Sequence, residues 1–160
     1  MAKNKEEKTN VMRTLEQKKI PYTAHSYDPE GPIDGVSVAQ TLGQPPEQVF
    51  KTLVTKGASG AYYVFDIPVA ENLDLKKAAK AVGEKSVAML PQKELLPLTG
   101  YVHGGCSPVG MKKQFPTVFH ETALLHGTVC VSAGKIGHQV ECDPNALIAL
   151  LRAKTADVIV

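Results

Sequence analysis

The chain has 160 residues, of which 43% are hydrophobic and 21% charged, so it is long enough for one domain with a buried core and typical of a folded globular protein. Its formal net charge of +2 is far below that of strongly basic nucleic-acid-binding domains, although it permits a local basic patch. No apolar run approaches the roughly 18 residues of a membrane span, and the charged N-terminus leads into no apolar signal segment, so we expect a cytoplasmic protein without membrane association.

The N-terminal part of the chain predicts a helix, a strand and a helical turn. Residues 9–20 carry apolar side chains at helical spacing, and Pro21 ends this helix. Residues 22–27 are typical of a strand. Ser37 is a candidate N-cap for a helical turn that Gly43 closes.

The middle of the chain predicts a β-hairpin followed by a helix. Residues 50–56 and 61–69 are rich in strand formers, and a Gly-Ala-Ser-Gly turn separates them. Asp74 is predicted to cap a helix over residues 75–82, which Gly83 ends.

The C-terminal half predicts short strands before a last helix. The strand segments are residues 87–90, 101–102, 117–120 and 128–132, with a helical turn at residues 93–96. Asp143 and Pro144 form a strong helix start, and this helix is predicted to run to about Ala153. Because strands and helices are interspersed, the sequence predicts one α/β (α+β) domain with a mixed sheet over residues 9–160, after a flexible N-terminus at residues 1–8.

Lys51 is the most unusual residue among the candidates for a functional site. It lies in the run Val-Phe-Lys-Thr-Leu-Val, between strand formers, where an ammonium group has little structural reason to be. Glycine-rich segments follow at residues 104–113 and 132–137. Gly104 and Gly105 can let backbone N–H groups approach a ligand closely. Together these features predict a pocket for an anionic, polar ligand such as a nucleotide or the end of a nucleic acid.

Each of these features also has a purely structural interpretation. Glycines form tight turns, and a lysine on a strand can extend its ammonium group to the rim of the sheet. Lys112 and Lys113 suit phosphate contacts, but a lysine pair is often only part of a solvated face.

Three other kinds of site fit the sequence less well. The five histidines and three cysteines lack the paired spacing of metal ligands, so we expect no metal. Ser107 and Cys106 are candidate nucleophiles without a histidine at a recognisable partner position, although a triad assembled in space stays open. Residues 105–112 do not form a P-loop, because Met111 intervenes and Lys113 replaces the hydroxyl group that would hold Mg²⁺.

Three segments occur in the same order and spacing as in a known family of proteins. They are residues 49–54, 104–113 and 132–135. On these segments the chain resembles the YbaK family over roughly residues 9–157. Members of that family are free-standing aminoacyl-tRNA deacylases related to the editing domain of bacterial prolyl-tRNA synthetases. The resemblance implies a mixed, partly closed β-barrel or sheet with helices packed outside it, and no cofactor.

The resemblance also implies a role for individual residues. Lys51 is the essential cation near the 3′-terminal adenosine and its phosphate, and Gly104 belongs with it at the catalytic centre. The implied substrate-binding residues are Tyr27, Thr52, Gly105, Ser107, Ser132 and Gly134, and the implied tRNA-phosphate contacts are Lys112 and Lys113. Family members often carry an acidic residue seven positions after the pocket serine, where this chain has Gln139. Either that carboxylate is dispensable or Glu141 serves in its place.

Within the family, the chain is most similar to members that remove cysteine mischarged onto proline tRNA. The implied substrate is Cys-tRNA(Pro), with Cys-tRNA(Cys) as a second substrate and a transient complex with prolyl-tRNA synthetase. The implied route is substrate-assisted, because the cysteine thiolate can attack its own ester carbonyl and form a cyclic thiolactone. Two alternatives stay open: a deacylase for another residue, as in Ala-tRNA(Pro), and a non-catalytic tRNA- or nucleotide-binding module.

Overall fold

Helices and strands alternate along the chain in the computed structural model, which describes residues 8–160. The helices are α1 (Asn10–Gln17), α2 (Gly35–Leu42), α3 (Leu75–Val82), α4 (Gln92–Thr99) and α5 (Pro144–Leu151). The strands are β1 (Tyr22–Ser26), β2 (Phe50–Gly57), β3 (Tyr62–Pro68), β4 (Val87–Met89), β5 (Thr117–His120), β6 (Val129–Ser132), β7 (His138–Cys142) and β8 (Lys154–Ala156). None of the helices within residues 8–160 has the length and apolar composition needed to cross a membrane.

Of the predicted N-terminal segment, residues 1–7 lie outside the described residues. Its last residue, Lys8, donates to Glu16 on α1 at 3.1 Å.

The strands form two sheets that meet at the start of β2. One sheet has the order β4-β2-β3-β5-β8, and the other has the order β1-β7-β6. The β2–β3 and β2–β4 pairs are antiparallel, whereas β3–β5 and β5–β8 are parallel, which confirms the predicted mixed sheet. A parallel bridge between Val49 and Cys130 links the two sheets. Because this link is one bridge rather than a ladder, the sheets are not closed into a barrel, and the implied partly closed barrel is wrong in that detail.

Several predicted elements need correction. Asp34, not Ser37, caps α2, because its carboxylate accepts the Ser37 N–H at 3.1 Å. The helical turn at residues 93–96 is the middle of α4, which continues through Pro97. Residues 101–102 are not a strand, since the Tyr101 N–H donates to the Thr99 hydroxyl at 3.0 Å instead of to a neighbouring strand. The last helix ends at Leu151 rather than Ala153, because Arg152 takes a left-handed conformation and β8 follows.

Apolar side chains cover both faces of the five-stranded sheet. On one face, the side chains of Phe65 and Ile67 pack with those of α3. On the other, Val54 and Val64 pack with residues from α4 and from the loop that follows it, including Phe115. A third cluster joins α1 and α5 to the three-stranded sheet. The core leaves an opening where the two sheets, α2 and the loop after α4 converge.

Candidate active site

A cavity of about 430 Å³ lies at this convergence. Its wall comes from the start of β2, the N-terminal half of α2, the loop after α4, the end of β6 and the start of β7. Five of the residues that the family resemblance assigns to the site line it: Tyr27, Lys51, Thr52, Gly104 and Ser132. The structure thus brings together residues that are far apart in the chain, and a volume of this size is ordinary for a small-molecule pocket.

Lys51 is a half-buried cation in the cavity wall. Burial lowers the pKa of its ammonium group, and the charge of Glu71 raises it to a smaller degree. Across residues 8–160, no salt bridge or hydrogen bond of its ammonium group is found, so the group is available to an anionic ligand. Because partial burial strengthens electrostatic attraction, a phosphate at this position would bind more strongly than at an exposed lysine.

Thr52 lies next to Lys51 and has its own buried partner. Its hydroxyl group is 2.6 Å from Oδ1 of Asp66, the residue directly opposite it on β3. Asp66 is fully buried and does not itself line the cavity. Burial raises the pKa of the Asp66 carboxyl group to about 7, while the Thr52 hydrogen bond acts in the opposite direction.

Gly104 lines the cavity in a conformation that other residues rarely adopt. Its φ is +91°, and a β-carbon at this position would lie 2.8 Å from Cδ1 of Ile33, another wall residue. Both features explain why the sequence has glycine here, since a side chain would strain the backbone and enter the wall. The backbone of Gly104 is therefore exposed to a ligand without an intervening side chain.

Three other residues of the glycine-rich segments do not line the cavity. The Gly105 N–H donates to the carbonyl oxygen of Val102 at 3.0 Å, so it is used within the loop rather than offered to a ligand. Ser107 is fully buried, and its hydroxyl oxygen accepts the Val109 N–H at 3.3 Å. A β-carbon on Gly134 would contact the Tyr101 ring at 3.0 Å. The structure therefore gives Gly105, Ser107 and Gly134 structural positions.

Lys112 and Lys113 also lie outside the cavity wall. Both are exposed, and Nζ of Lys112 donates to the carbonyl oxygen of Pro97 at 3.2 Å, near the end of α4. A contact of either residue with a tRNA phosphate stays a prediction.

The candidate protein nucleophiles are not activated. Burial raises the pKa of the Cys106 thiol to about 12, and the charge of Asp66 contributes to the same shift. The Ser132 hydroxyl oxygen accepts the Gly134 N–H at 3.0 Å. In the described chain, neither Ser107 nor Ser132 is hydrogen-bonded to a histidine or a carboxylate. The spatial triad that the sequence left open is therefore not formed around these serines.

The neutral residue at the position where family members often have an acid is Gln139, which lines the cavity. Its amide group is paired with that of Gln44, with N–O distances of 2.7 and 3.2 Å. Glu141 does not stand in for the missing carboxylate. It lies outside the wall, and its two oxygens contact Nε2 of His25 at 2.8 Å and the Thr128 hydroxyl at 2.5 Å.

A possible metal-binding group that the sequence analysis missed lies on the three-stranded sheet. The potential ligand atoms of His25, Cys130 and Glu141 lie within 4.8 Å of one another. Burial raises the pKa of the Cys130 thiol to about 12, and Glu141 already has hydrogen-bond partners. The Glu141 carboxylate is thus satisfied by hydrogen bonds to His25 and Thr128. Sequence spacing gave no signal, because each residue comes from a different strand.

The apolar part of the wall was also not predicted. It includes Ile33, Val36, Val38 and Leu95, which belong to α2, to α4 and to the segment before α2. Their spacing in the sequence is that of ordinary core residues, so only the tertiary structure assigns them to the cavity.

Comparison with known proteins identifies the family. A family model described as "Aminoacyl-tRNA editing domain" matches residues 34–150, which is most of the chain. The chain belongs to the aminoacyl-tRNA editing domain family. The matched span of this editing domain contains the whole cavity wall except Tyr27 and Ile33.

Individual relatives extend the comparison over the whole editing domain. The chain is 47% identical to a protein of Enterococcus faecalis that carries the provisional name Cys-tRNA(Pro)/Cys-tRNA(Cys) deacylase EbsC, over 99% of this chain and 98% of that protein. A crystal structure assigned as a trans-editing enzyme for prolyl-tRNA synthetase has 28% identity and a TM-score of 0.81, and the match covers 94% of each chain. A crystal structure described only as a hypothetical protein has a TM-score of 0.86 at 23% identity, over 94% of this chain and 99% of that one, and supports the fold alone.

Proposed function

We propose that the protein is an aminoacyl-tRNA deacylase that removes cysteine mischarged onto tRNA(Pro), and also acts on Cys-tRNA(Cys). The observation that carries this proposal is the composition of the cavity wall. The wall combines an unpaired cation, Lys51, with the open backbone of Gly104, and its thiol, Cys106, is unactivated. Such a wall suits a ligand that brings both an anion and its own nucleophile. Membership of the editing family and the names of the relatives support the same substrate class.

Substrate binding follows from the positions of the charged and apolar groups. Lys51 attracts the phosphate of the 3′-terminal adenosine, because a half-buried ammonium group is poorly screened by salt. Thr52 and Ser132 offer hydroxyl groups to the aminoacyl ester. The side chains of Ile33, Val36 and Val38 limit its size and exclude water from the ester.

The reaction step requires little from the protein. The substrate thiol loses its proton, its sulfur bonds to the ester carbonyl carbon, and the bond from that carbon to the ribose oxygen breaks. The ribose oxygen takes up a proton, and the amino acid leaves as a thiolactone. A free cysteine thiol has a pKa of about 8.5, so a useful fraction is ionised at neutral pH. Holding sulfur and carbonyl in contact can contribute roughly 7–11 kcal/mol, and a donor such as the backbone N–H of Gly104 stabilises the oxyanion.

The protein would act in trans on tRNA in the cytoplasm, where prolyl-tRNA synthetase charges proline tRNA. A transient complex with that synthetase would supply the tRNA selectivity for which no appendage is evident among residues 8–160. The similarity to the structure assigned as a trans-editing enzyme for prolyl-tRNA synthetase supports this part of the proposal.

The decisive experiment replaces the sulfur of the substrate by oxygen. Single-turnover deacylation is measured with tRNA(Pro) charged with cysteine or with serine, which are nearly isosteric. Because a hydroxyl group is far less acidic than a thiol, Ser-tRNA(Pro) should react at least about 100-fold more slowly. It should still bind, and should inhibit deacylation of Cys-tRNA(Pro) competitively.

Three results would contradict the proposal in distinct ways. Equal rates for the cysteine and serine esters would assign the attack to water or to a tRNA hydroxyl group. Faster release of alanine from Ala-tRNA(Pro) would identify the other editing specificity. Binding of every charged tRNA without any release of amino acid would identify a non-catalytic tRNA-binding module.

A further inference from the structure

A buried carboxyl group lies directly behind the wall of the cavity. Asp66 lies on β3, which is paired with β2 and with β5, and is 0% exposed. Its Oδ1 atom is 2.6 Å from the hydroxyl oxygen of Thr52, and its Oδ2 atom has no hydrogen-bond partner in the described part of the protein. Since a buried carboxyl group without full hydrogen bonding is costly, its presence here requires an explanation other than stability.

The pairing of the strands fixes the relation between Asp66 and the cavity. Thr52 and Asp66 are opposite each other in the antiparallel β2–β3 ladder, so their side chains emerge on the same face. Thr52 lines the cavity and Asp66 does not. The Thr52 hydroxyl group therefore connects the buried carboxyl group to the cavity through a hydrogen bond.

We propose that Asp66 is a positioning residue for the deacylation proposed above, on which this inference rests: its protonation state decides whether Thr52 presents an oxygen or a proton to the α-ammonium group of the aminoacyl ester. An ionised carboxylate can only accept hydrogen bonds. Thr52 then donates its proton to Oδ1, and its lone pairs face the cavity. In that state the site accepts the α-ammonium group, and the carboxylate charge behind Thr52 attracts it.

A neutral Asp66 has the opposite effect. A protonated carboxyl group carries an O–H donor, which can donate to the Thr52 oxygen. The Thr52 proton then turns into the cavity, where it opposes the N–H groups of an ammonium ion. The same two residues thus favour the substrate in one protonation state and reject it in the other.

The surroundings allow this titration to occur near neutral pH. Burial raises the pKa of Asp66 to about 7, and the Thr52 hydrogen bond moderates the shift. The titratable groups on the elements packed around Asp66 are Lys51 and Lys56 on β2, His120 on β5, Lys93 and Glu94 on α4, and Tyr101, His103, Cys106, Lys112 and Lys113 in the loop after α4. The thiol of Cys106 has a pKa of about 12 and the phenol of Tyr101 also about 12, so both are neutral when Asp66 titrates.

The coupling can be tested without any catalytic activity. Protein labelled with ¹³C at aspartate carboxyl carbons and threonine methyl carbons is titrated by NMR from about pH 5.5 to 8.5. The Thr52 methyl shift should follow the Asp66 carboxyl shift with one midpoint near neutrality, and should be independent of pH in Asp66→Asn. An unchanged Thr52 titration in Asp66→Asn, or an Asp66 carboxyl group that does not titrate in this range, would overturn the proposal.

The effect on substrate is tested by the pH profile of kcat/KM for Cys-tRNA(Pro). Between pH 6 and 8 the wild-type value should rise about tenfold more than that of Asp66→Asn, because the ionised fraction of a group with a pKa of about 7 changes by that factor. Ionisation of the substrate is common to both proteins and cancels. Thr52→Ser should keep this additional rise in kcat/KM between pH 6 and 8, and Thr52→Val should lose it. This pair of variants preserves the test if Asp66→Asn fails to fold.

The outcomes separate this inference from the proposed function. Superimposed profiles of wild type and Asp66→Asn, in an active enzyme, would refute the positioning role alone. A wild-type protein that releases no amino acid would refute the proposed function and the substrate half of this inference. If the Thr52 methyl shift of that inactive protein still followed the titration of Asp66, the coupling between the two residues would stand without a role in deacylation.

Discussion

At the scale of single residues, two ionisable side chains of the five-stranded sheet are partly or fully removed from water. Lys51 is half-buried in the cavity wall, and burial lowers the pKa of its ammonium group. Asp66 is fully buried behind that wall, and burial raises the pKa of its carboxyl group to about 7. Both shifts report a desolvation cost, which folding alone does not require. Such costs are typical of residues retained for binding or catalysis.

Replacing Lys51 tests its role as the phosphate contact. Lys51→Ala should lower kcat/KM for Cys-tRNA(Pro) by about 100-fold, because a charged hydrogen bond to phosphate contributes up to about 3 kcal/mol. Lys51→Arg should recover little, since the guanidinium group is larger and planar. Lys56→Ala is the matched control, because Lys56 lies on the same strand but is exposed and contacts the Tyr62 ring. An effect of Lys56→Ala equal to that of Lys51→Ala would indicate general charge rather than a site.

Replacing Asp66 should change the pH dependence of stability. The folded-state pKa of about 7 is above the value of about 3.9 in an unfolded chain, so the unfolded state loses its proton first as pH rises. The stabilising effect of Asp66 protonation is therefore complete below about pH 4 and lost by about pH 7. As pH rises from about 4 to about 7, the free energy of unfolding of Asp66→Asn should therefore increase relative to that of wild type by on the order of 4 kcal/mol. Urea denaturation at several pH values measures it, and parallel pH curves would show that Asp66 does not titrate in the folded protein.

At the scale of elements, α2 forms the apolar side of the cavity because its N-terminus packs directly on Val69, the residue that follows β3. A β-carbon at Gly35 would lie 2.3 Å from Cγ1 of Val69, so only glycine permits this approach. Asp34 caps the helix at the same point and lines the cavity with Val36 and Val38. The position of this wall thus depends on the first turn of a helix of only eight residues.

Removing the cap of α2 should therefore affect substrate binding. Asp34→Ala leaves the Ser37 N–H without its partner and frays the first turn, so the KM for Cys-tRNA(Pro) should rise several-fold with a smaller change in kcat. Asp34→Asn should restore KM, since asparagine caps helices about equally well. The comparison variant is Asp74→Ala, which removes the cap of α3, away from the cavity. It should lower stability by about 1 kcal/mol and leave KM unchanged.

At the scale of the whole molecule, the site lies where two sheets meet without merging. The bridge between Val49 and Cys130 brings β6 beside the start of β2, so Ser132 faces the same cavity as Lys51. The three cysteines, Cys106, Cys130 and Cys142, are unpaired and have thiol pKa values raised to about 12 by burial. Thiols with such raised pKa values stay protonated near neutral pH, which agrees with the proposed attack by the thiol of the substrate.

Removing metal should leave the activity unchanged. After dialysis against a chelator, the deacylation rate should stay within about twofold of the untreated rate, because the proposed reaction uses no metal. Cys130→Val should likewise retain activity if it folds, since it removes one of the three possible ligands while keeping an apolar side chain of similar size. A loss above about tenfold, restored by added Zn²⁺, would show that the cluster of His25, Cys130 and Glu141 holds a functional ion.

The sequence by itself determined the local elements whose signals are local. The predicted α3 over residues 75–82 matches the structure, because Asp74 and Gly83 supply both caps within the segment. The hairpin of β2 and β3 and the start of α5 at Pro144 were equally readable. Lys51 also stood out in the sequence, since an ammonium group among strand formers is unusual in any fold.

Only the tertiary structure decided which of these residues meet. It places Thr52 and Ser132 in one cavity wall, whereas Gly105 and Ser107 lie outside that wall. The Gly105 N–H and the Ser107 hydroxyl group are instead used in hydrogen bonds within their own loop. It reveals β7, a strand whose polar Gln139 is buried because Gln44 of the segment after α2 satisfies its amide. A single sequence contains no information on such partners, since they arise from packing between segments far apart in the chain. The buried carboxyl of Asp66 was invisible for the same reason: its burial is created by β2, β5 and the loop that covers them.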